Sequence, residues 1–295
     1  MPLPEALQPL HTFFMIVSFV FGTLVGSFCN VCASRWPAGE SVVSPRSRCP
    51  KCMTAIAWYD NFPLLSWLVL GAKCRHCGQP ISWQYPLVEA ITGVLFFLVY
   101  WRFGFAAATP VYMAFAAAMV IVTFQDLTDW TIPNEITIPG MGIGLVLSLA
   151  GMVYPQGSLL RVSSPFDAVG GLLLGGGIIY LLDRITVLIL KKPGMGFGDV
   201  KLLAMLGAFL GWKGVLFILM AASMLGSIVG VSLILYLKTR TGAVPEPGPD
   251  SGEDADGEEI TLQGHYLPFG PYLAFAGLLY MFVGPEFIAF YFAGI

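Results

Sequence analysis

The stretch GVLFILMAASMLGSIVGVSLILYL, residues 214–237, runs for 24 residues without one Asp, Glu, Lys or Arg. At 1.5 Å of rise per residue a helix of this length spans about 36 Å, enough to cross the roughly 30 Å hydrocarbon core of a bilayer. Seven further apolar segments are read at 10–33, 86–101, 105–125, 135–153, 167–190, 200–211 and 270–293. None alternates with the period of two that a membrane barrel needs, and helices satisfy their own backbone groups in lipid. The expected fold is therefore an all-α polytopic membrane protein with about eight transmembrane helices. Segment 200–211 stands apart, because 12 residues rise only about 18 Å. It is either a half-span or a helix that starts below the membrane surface.

Composition agrees with this reading. Of 295 residues, 56% are hydrophobic and 11% charged, and mean hydropathy is +0.76. A soluble domain carries about 25% charged residues, so a soluble enzyme is excluded. A net charge of −3 gives no reason to expect a nucleic-acid partner. The first 34 residues hold no Lys or Arg, so the opening segment lacks the basic start of a signal peptide and is expected to remain in the mature chain.

Basic residues orient the spans. With the N-terminus outside, Arg35, Arg46, Arg48, Lys51, Lys73, Arg75, Lys191, Lys192, Lys201, Lys238 and Arg240 all fall on the cytoplasmic side. Only Arg102, Arg161 and Lys213 fall outside, and Arg184 lies within a span. The chain then divides into a first transmembrane helix (1–33), a cytoplasmic module (34–85) and a membrane core (86–295). Within the core, 241–264 combines three prolines with seven acids and reads as a disordered acidic cytoplasmic loop.

The module carries two knuckles, Cys49-Pro50-Lys51-Cys52 and Cys74-Arg75-His76-Cys77-Gly78, 21 residues apart. Two residues between thiolates let both reach one tetrahedral ion, so a structural Zn²⁺ on Cys49, Cys52, Cys74 and Cys77 is expected. Two disulfides are the bland reading, disfavoured in a reducing cytosol. Cys29 and Cys32, by contrast, lie inside the first apolar helix, where a thiol acts as a small hydrophobe.

An ionisable group in or beside a span is costly and therefore informative. Asp126 ends the third segment in Phe124-Gln125-Asp126-Leu127-Thr128-Asp129-Trp130-Thr131-Ile132-Pro133-Asn134. Asp199 follows Gly194-Met195-Gly196-Phe197-Gly198 and opens segment 200–211. Both lie at cytoplasmic ends of spans. Two carboxylates sharing a proton can hydrolyse an amide, one activating water and the other protonating the carbonyl. Gly196 and Gly198 would let an extended substrate backbone come near. No HExxH motif occurs, and none of the three histidines adjoins a plausible nucleophile. Helix capping or an ion relay would use the same two acids, while Glu89, one turn into the second segment, suits a structural contact or a site equally well.

Several motifs together resemble the bacterial type IV prepilin peptidases. They are Gly26-Ser27-Phe28 with Asn30-Val31 and Arg35-Trp36-Pro37, the paired knuckles, Tyr85-Pro86-Leu87-Val88-Glu89, the segment from Asp126 to Asn134, and Gly194 to Lys201. The resemblance implies an inner-membrane aspartyl protease of the GxGD kind. Such enzymes cut the basic leader from prepilins and secretion pseudopilins after a Gly at the cytoplasmic face. Many then methylate the new N-terminus with S-adenosylmethionine, an activity and a donor that rest here on the resemblance alone. It places the catalytic pair on Asp126, seven residues before Pro133, and Asp199. Gly196, Gly198, Lys201, Pro133, Asn134 and Glu89 are expected as substrate-binding or supporting residues around that pair. Relatives often carry an acid two residues after the first aspartate; here Thr128 stands there and Asp129 follows. An ion- or proton-coupled transporter using Asp126 and Asp199 as a relay is the alternative, as is a membrane-anchored zinc module that assembles a partner complex.

Overall fold

A computed structural model of the chain describes residues 8–153, 162, 164–190, 196–241 and 268–292. The acidic stretch 241–264 lies outside the described residues apart from Thr241, as do Gly194 and Met195. Every regular element among the described residues is helical: α1 (Gln8–Arg35), α2 (Leu65–Val69), α3 (Gln84–Phe103), α4 (Ala108–Asp129), α5 (Asn134–Val153), α6 (Pro165–Leu190), α7 (Phe197–Thr241) and α8 (Gly270–Phe292). Two isolated antiparallel bridges, Arg48–Ala55 and Lys73–Pro80, flank the cysteine knuckles.

Six of these helices are long and apolar enough to cross a membrane, and α8 contributes a shorter apolar stretch, Gly270–Gly284. Helix α7 accounts for two of the expected segments. Its 45 residues would extend about 67 Å if straight, more than twice a bilayer core. It breaks at Gly211, whose φ of 75° and ψ of 174° are not helical. A Cβ there would stand 2.9 Å from both carboxylate oxygens of Asp167 at the start of α6. Position 211 thus needs glycine twice, for its positive φ and for this approach.

The short segment 200–211 is the first arm of α7, and its length follows from its surroundings. Every residue from Leu202 to Gly211 is buried. Met119 and Val122 of α4, Ile179 of α6 and Leu273 and Ala276 of α8 belong to the same core. In lipid, helices associate by close packing instead of by escape from water, so small residues mark the tightest crossings. Helices α6 and α7 illustrate this, because a Cβ on Gly207 would overlap the Gly171 carbonyl. A second cluster joins α1, α3 and α4 through Cys29, Cys32, Val88, Phe96 and Val120. Cys29 and Cys32, 1% and 0% exposed, are core side chains.

The helices alternate in direction, and their contacts fix which ends meet. Helices α3 and α8 are tied at one end by an ion pair between Arg102 and Glu286. At the other end lie the last turn of α4 and the first turns of α3, α5, α7 and α8. That second end carries the carboxylates.

Candidate active site

Asp126 occupies the last turn of α4 and is 6% exposed. Its Oδ2 accepts the backbone N–H of Gly270, the first residue of α8, at 3.0 Å. First-turn N–H groups have no acceptor within their own helix, and the positive end of the helix favours a carboxylate. A Cβ at position 270 would stand 2.5 Å from that oxygen, so glycine is what lets α8 come this near.

Asp199 is the third residue of α7 and nearly as buried. Its backbone N–H donates to the Gly196 carbonyl at 3.1 Å, which starts the helix. Its Oδ1 is buried with no hydrogen-bond partner among the described residues. Ile132 lies against both Gly198, the residue before Asp199, and Gly270, whose N–H binds Asp126, so the two carboxylates border one corner. Seventy-three positions of sequence separate them, and the packing of α4, α7 and α8 brings them to one depth.

Ile132, in the turn between α4 and α5, closes this corner. A Cβ on Gly198 would lie 3.1 Å from Ile132 Cβ, and one on Gly270 would lie 3.2 Å from Ile132 Cδ1. The turn itself is shaped by Trp130, which adopts a left-handed conformation (φ 56°, ψ 29°) and donates its N–H to the Asp126 carbonyl at 3.2 Å. Of the two glycines read as admitting a substrate backbone, Gly196 is the less crowded: a Cβ there would come no nearer than 3.8 Å to another group, the Asp199 Oδ2. The space over Gly198 belongs to Ile132.

The remaining expected residues separate into two groups. Lys201 Nζ donates to Asn134 Oδ1, and lies 5.3 Å from the centre of the Phe197 ring, so it joins the first turns of α7 and α5. The Pro133 carbonyl accepts from the Thr137 hydroxyl at 3.1 Å and begins α5. These three lie in or beside the first turns of α5 and α7. Glu89 is engaged elsewhere: its Oε2 accepts the Leu64 N–H at 2.8 Å, linking α3 to the module before it. Asp129 is exposed, and its Oδ2 accepts from the neighbouring Thr128 hydroxyl at 2.7 Å.

Three residues of the site escaped the sequence reading. Gly270 and Ile132 act through contacts that no local pattern announces, although Pro268-Phe269-Gly270-Pro271 punctuates the start of the last apolar run. Gln125 is 3% exposed, and its Nε2 donates to the Thr131 hydroxyl at 3.2 Å, bracing the turn that carries Ile132.

The cysteines form a second centre. The four Sγ atoms of Cys49, Cys52, Cys74 and Cys77 lie within 4.8 Å of one another, against about 3.8 Å for the edge of a tetrahedron with 2.3 Å metal–sulfur bonds. Their two loops are built alike. The Cys49 N–H bonds the Thr54 carbonyl at 3.0 Å, and the Cys74 N–H bonds the Gln79 carbonyl at 2.9 Å. Residues after the second cysteine of each pair, Met53 and Gly78, both have positive φ (58° and 67°). The Thr54 hydroxyl and N–H pull the Cys52 thiol down to about 6. The Cys77 and His76 N–H groups likewise lower that of Cys74. Four thiols so arranged can bind a metal ion and leave it no open position.

Comparison with known proteins agrees with this architecture. Residues 20–103 match the family described as Bacterial Peptidase A24 N-terminal domain, and residues 113–231 match the Type IV leader peptidase family. A protein of Myxococcus xanthus (strain DK1622) named "Prepilin leader peptidase/N-methyltransferase" is 36% identical, over 96% of this chain and 93% of its own length. Proteins with the same name from Aeromonas salmonicida (strain A449) and Pseudomonas aeruginosa are 32% and 31% identical, over 99% and 100% of this chain and 98% and 99% of theirs. No solved structure matches the chain. With both domain matches in order and relatives aligned along nearly its whole length, this multi-pass membrane protein belongs to the type IV leader peptidase family.

Proposed function

We propose that the chain is an aspartyl endopeptidase of the inner membrane. It removes the basic leader of type IV prepilins or pseudopilins at the cytoplasmic face and N-methylates the new N-terminal residue, with S-adenosylmethionine as donor. The observation that carries the hydrolytic part is the pair of buried carboxylates, Asp126 and Asp199, set on different helices at one end of the bundle, with Asp199 Oδ1 unpartnered among the described residues.

In this mechanism the pair holds one proton. The ionised carboxylate takes a proton from a water molecule as its oxygen attacks the scissile carbonyl carbon, and the protonated one gives its proton to the carbonyl oxygen. Collapse of the tetrahedral intermediate breaks the C–N bond as the first acid returns its proton to the leaving amine and the second carboxylate takes a proton back from a diol hydroxyl, which restores the singly protonated pair. The Gly270 N–H holds Asp126 Oδ2 in place throughout, which limits how far that carboxylate can turn. Gly196, with no side chain beside the Asp199 Oδ2, suits an extended substrate backbone lying along the start of α7. Lys201, Asn134 and Pro133 hold the first turns of α7 and α5 beside it, and Glu89 holds the module.

Cys49, Cys52, Cys74 and Cys77 hold a structural Zn²⁺. The ion supplies cross-linking to a stretch with little core of its own and takes no part in cleavage. Basic residues concentrated toward the carboxylate end support a cytoplasmic active site. A proton relay would want its acids near mid-span, whereas Asp126 and Asp199 stand in terminal turns. Incubating the purified protein with a prepilin and S-adenosylmethionine tests both activities by mass. Loss of the leader with the gain of one methyl group is expected, and an unchanged prepilin refutes the assignment.

A further inference from the structure

Helix α2 has no buried residue. Its Leu65, Leu68 and Val69 stand at i, i+3 and i+4 and so share one face. They are 60%, 66% and 80% exposed, and Trp58 and Phe62 just before them are 79% and 52% exposed. No residue from Asn61 to Ala72 is charged. The opposite side of α2 is engaged, since Trp67 Nε1 donates to the Ile81 carbonyl at 3.4 Å and the Ser66 hydroxyl to the Tyr59 carbonyl at 3.2 Å. Contiguous apolar surface of this kind marks a contact with protein or membrane.

Depth decides between these. Helix α3 has 20 residues and is about 30 Å long, no more than the hydrocarbon core it crosses. Glu89 lies five residues inside its first end, about 7.5 Å along the axis. Because the Glu89 carboxylate binds the Leu64 N–H at 2.8 Å, the start of α2 is pinned at that level. Interfacial helices bury their apolar face about 5–10 Å into the boundary of headgroups and acyl chains, so α2 sits where such a helix would. Trp58 and Tyr59, in edge-to-face contact at 5.8 Å, are the residue types that favour this layer. Arg46, Arg48, Lys51 and Lys73 are exposed on the same module, and Arg75 neutralises Asp60, so the module's charge suits anionic headgroups.

We propose that α2 and the turn before it are a membrane-interface anchor. The face of Leu65, Leu68 and Val69, with Trp58 and Phe62, inserts among the headgroups and upper acyl chains of the bilayer that the spans cross, and holds the four-cysteine module against the membrane surface. This rests on the membrane reading alone and stands whether or not the chain cuts prepilins.

The test uses the full-length protein with p-benzoylphenylalanine at Leu68 or at Val69, reconstituted in vesicles of phosphatidylethanolamine and phosphatidylglycerol, irradiated and analysed by mass. Leu216, half-exposed on α7, is the lipid-facing reference. Lipid adducts at positions 68 and 69 should form with a yield at least about one third of that at 216. Lower yields at both positions overturn the anchor. So does replacement of the lipid adducts by peptide adducts when excess prepilin is added, which would make this face a substrate dock.

Discussion

The backbone N–H of Gly270 and the Oδ2 of Asp126 are 3.0 Å apart, although 144 residues separate them in sequence. The last helix thereby orients a carboxylate carried by α4, and the absence of a side chain at 270 is the condition for it. Gly270→Ala places a methyl group 2.5 Å from that oxygen and must displace it. A misplacement of about 1 Å at a reacting group costs on the order of 100-fold in rate. Steady-state kinetics on a prepilin should show a kcat reduced by about that factor with KM changed far less. Unaltered kcat would mean that Asp126 does not need this placement.

Asp126→Asn and Asp199→Asn should each reduce cleavage below roughly 1% of the parent rate, and the double variant should be no worse than either single one, because the two acids act as a unit. Asp129→Asn should cost much less, since Asp129 is exposed and bonded to Thr128. Turnover of stably inserted protein, measured by gel shift of the prepilin, decides this. Additive losses in the double variant would separate the acids into independent roles.

Metal analysis of the purified protein should return one zinc per chain. Cys49→Ser with Cys74→Ser should remove it, because each knuckle then offers a single thiolate. Cleavage should survive in part, since Asp126 and Asp199 are held by α4, α7 and α8. Limited proteolysis should meanwhile open the stretch between residues 36 and 83. Full zinc content in the double variant would show that other ligands hold the ion.

Glu89→Ala leaves the Leu64 N–H without its acceptor, and an unmade bond of this kind costs about 1–3 kcal/mol. Leu64 already has a positive φ of 62°, which Glu89 helps to hold. Proteolytic cutting near residues 58–70 should rise severalfold, with cleavage of prepilin falling far less than in Asp126→Asn. A loss as deep as that of Asp126→Asn would put Glu89 among the groups that act on the substrate.

Much of this protein is legible in the chain itself, because lipid leaves few choices. An uncharged run such as 214–237 has to be a helix, and cysteines spaced two apart can share an ion wherever the chain takes them, since both effects act within a few residues. The positions of Asp126 and Asp199 at helix ends follow from neighbouring glycines and prolines for the same reason. Long-range packing is another matter. Segment 200–211 is too short to read as a span, and its meaning emerges once α4, α5, α6 and α8 enclose it and Gly211 turns the chain back against Asp167. Gly198 reads as open backbone, yet Ile132 covers it. Glu89 reads equally as a structural contact or as part of a site, and the fold engages its carboxylate with the Leu64 N–H. Gly270 and Ile132 carry no signal that local chemistry could supply, since what each does depends on a partner from another helix, and the distance between helices is set by every side chain packed between them.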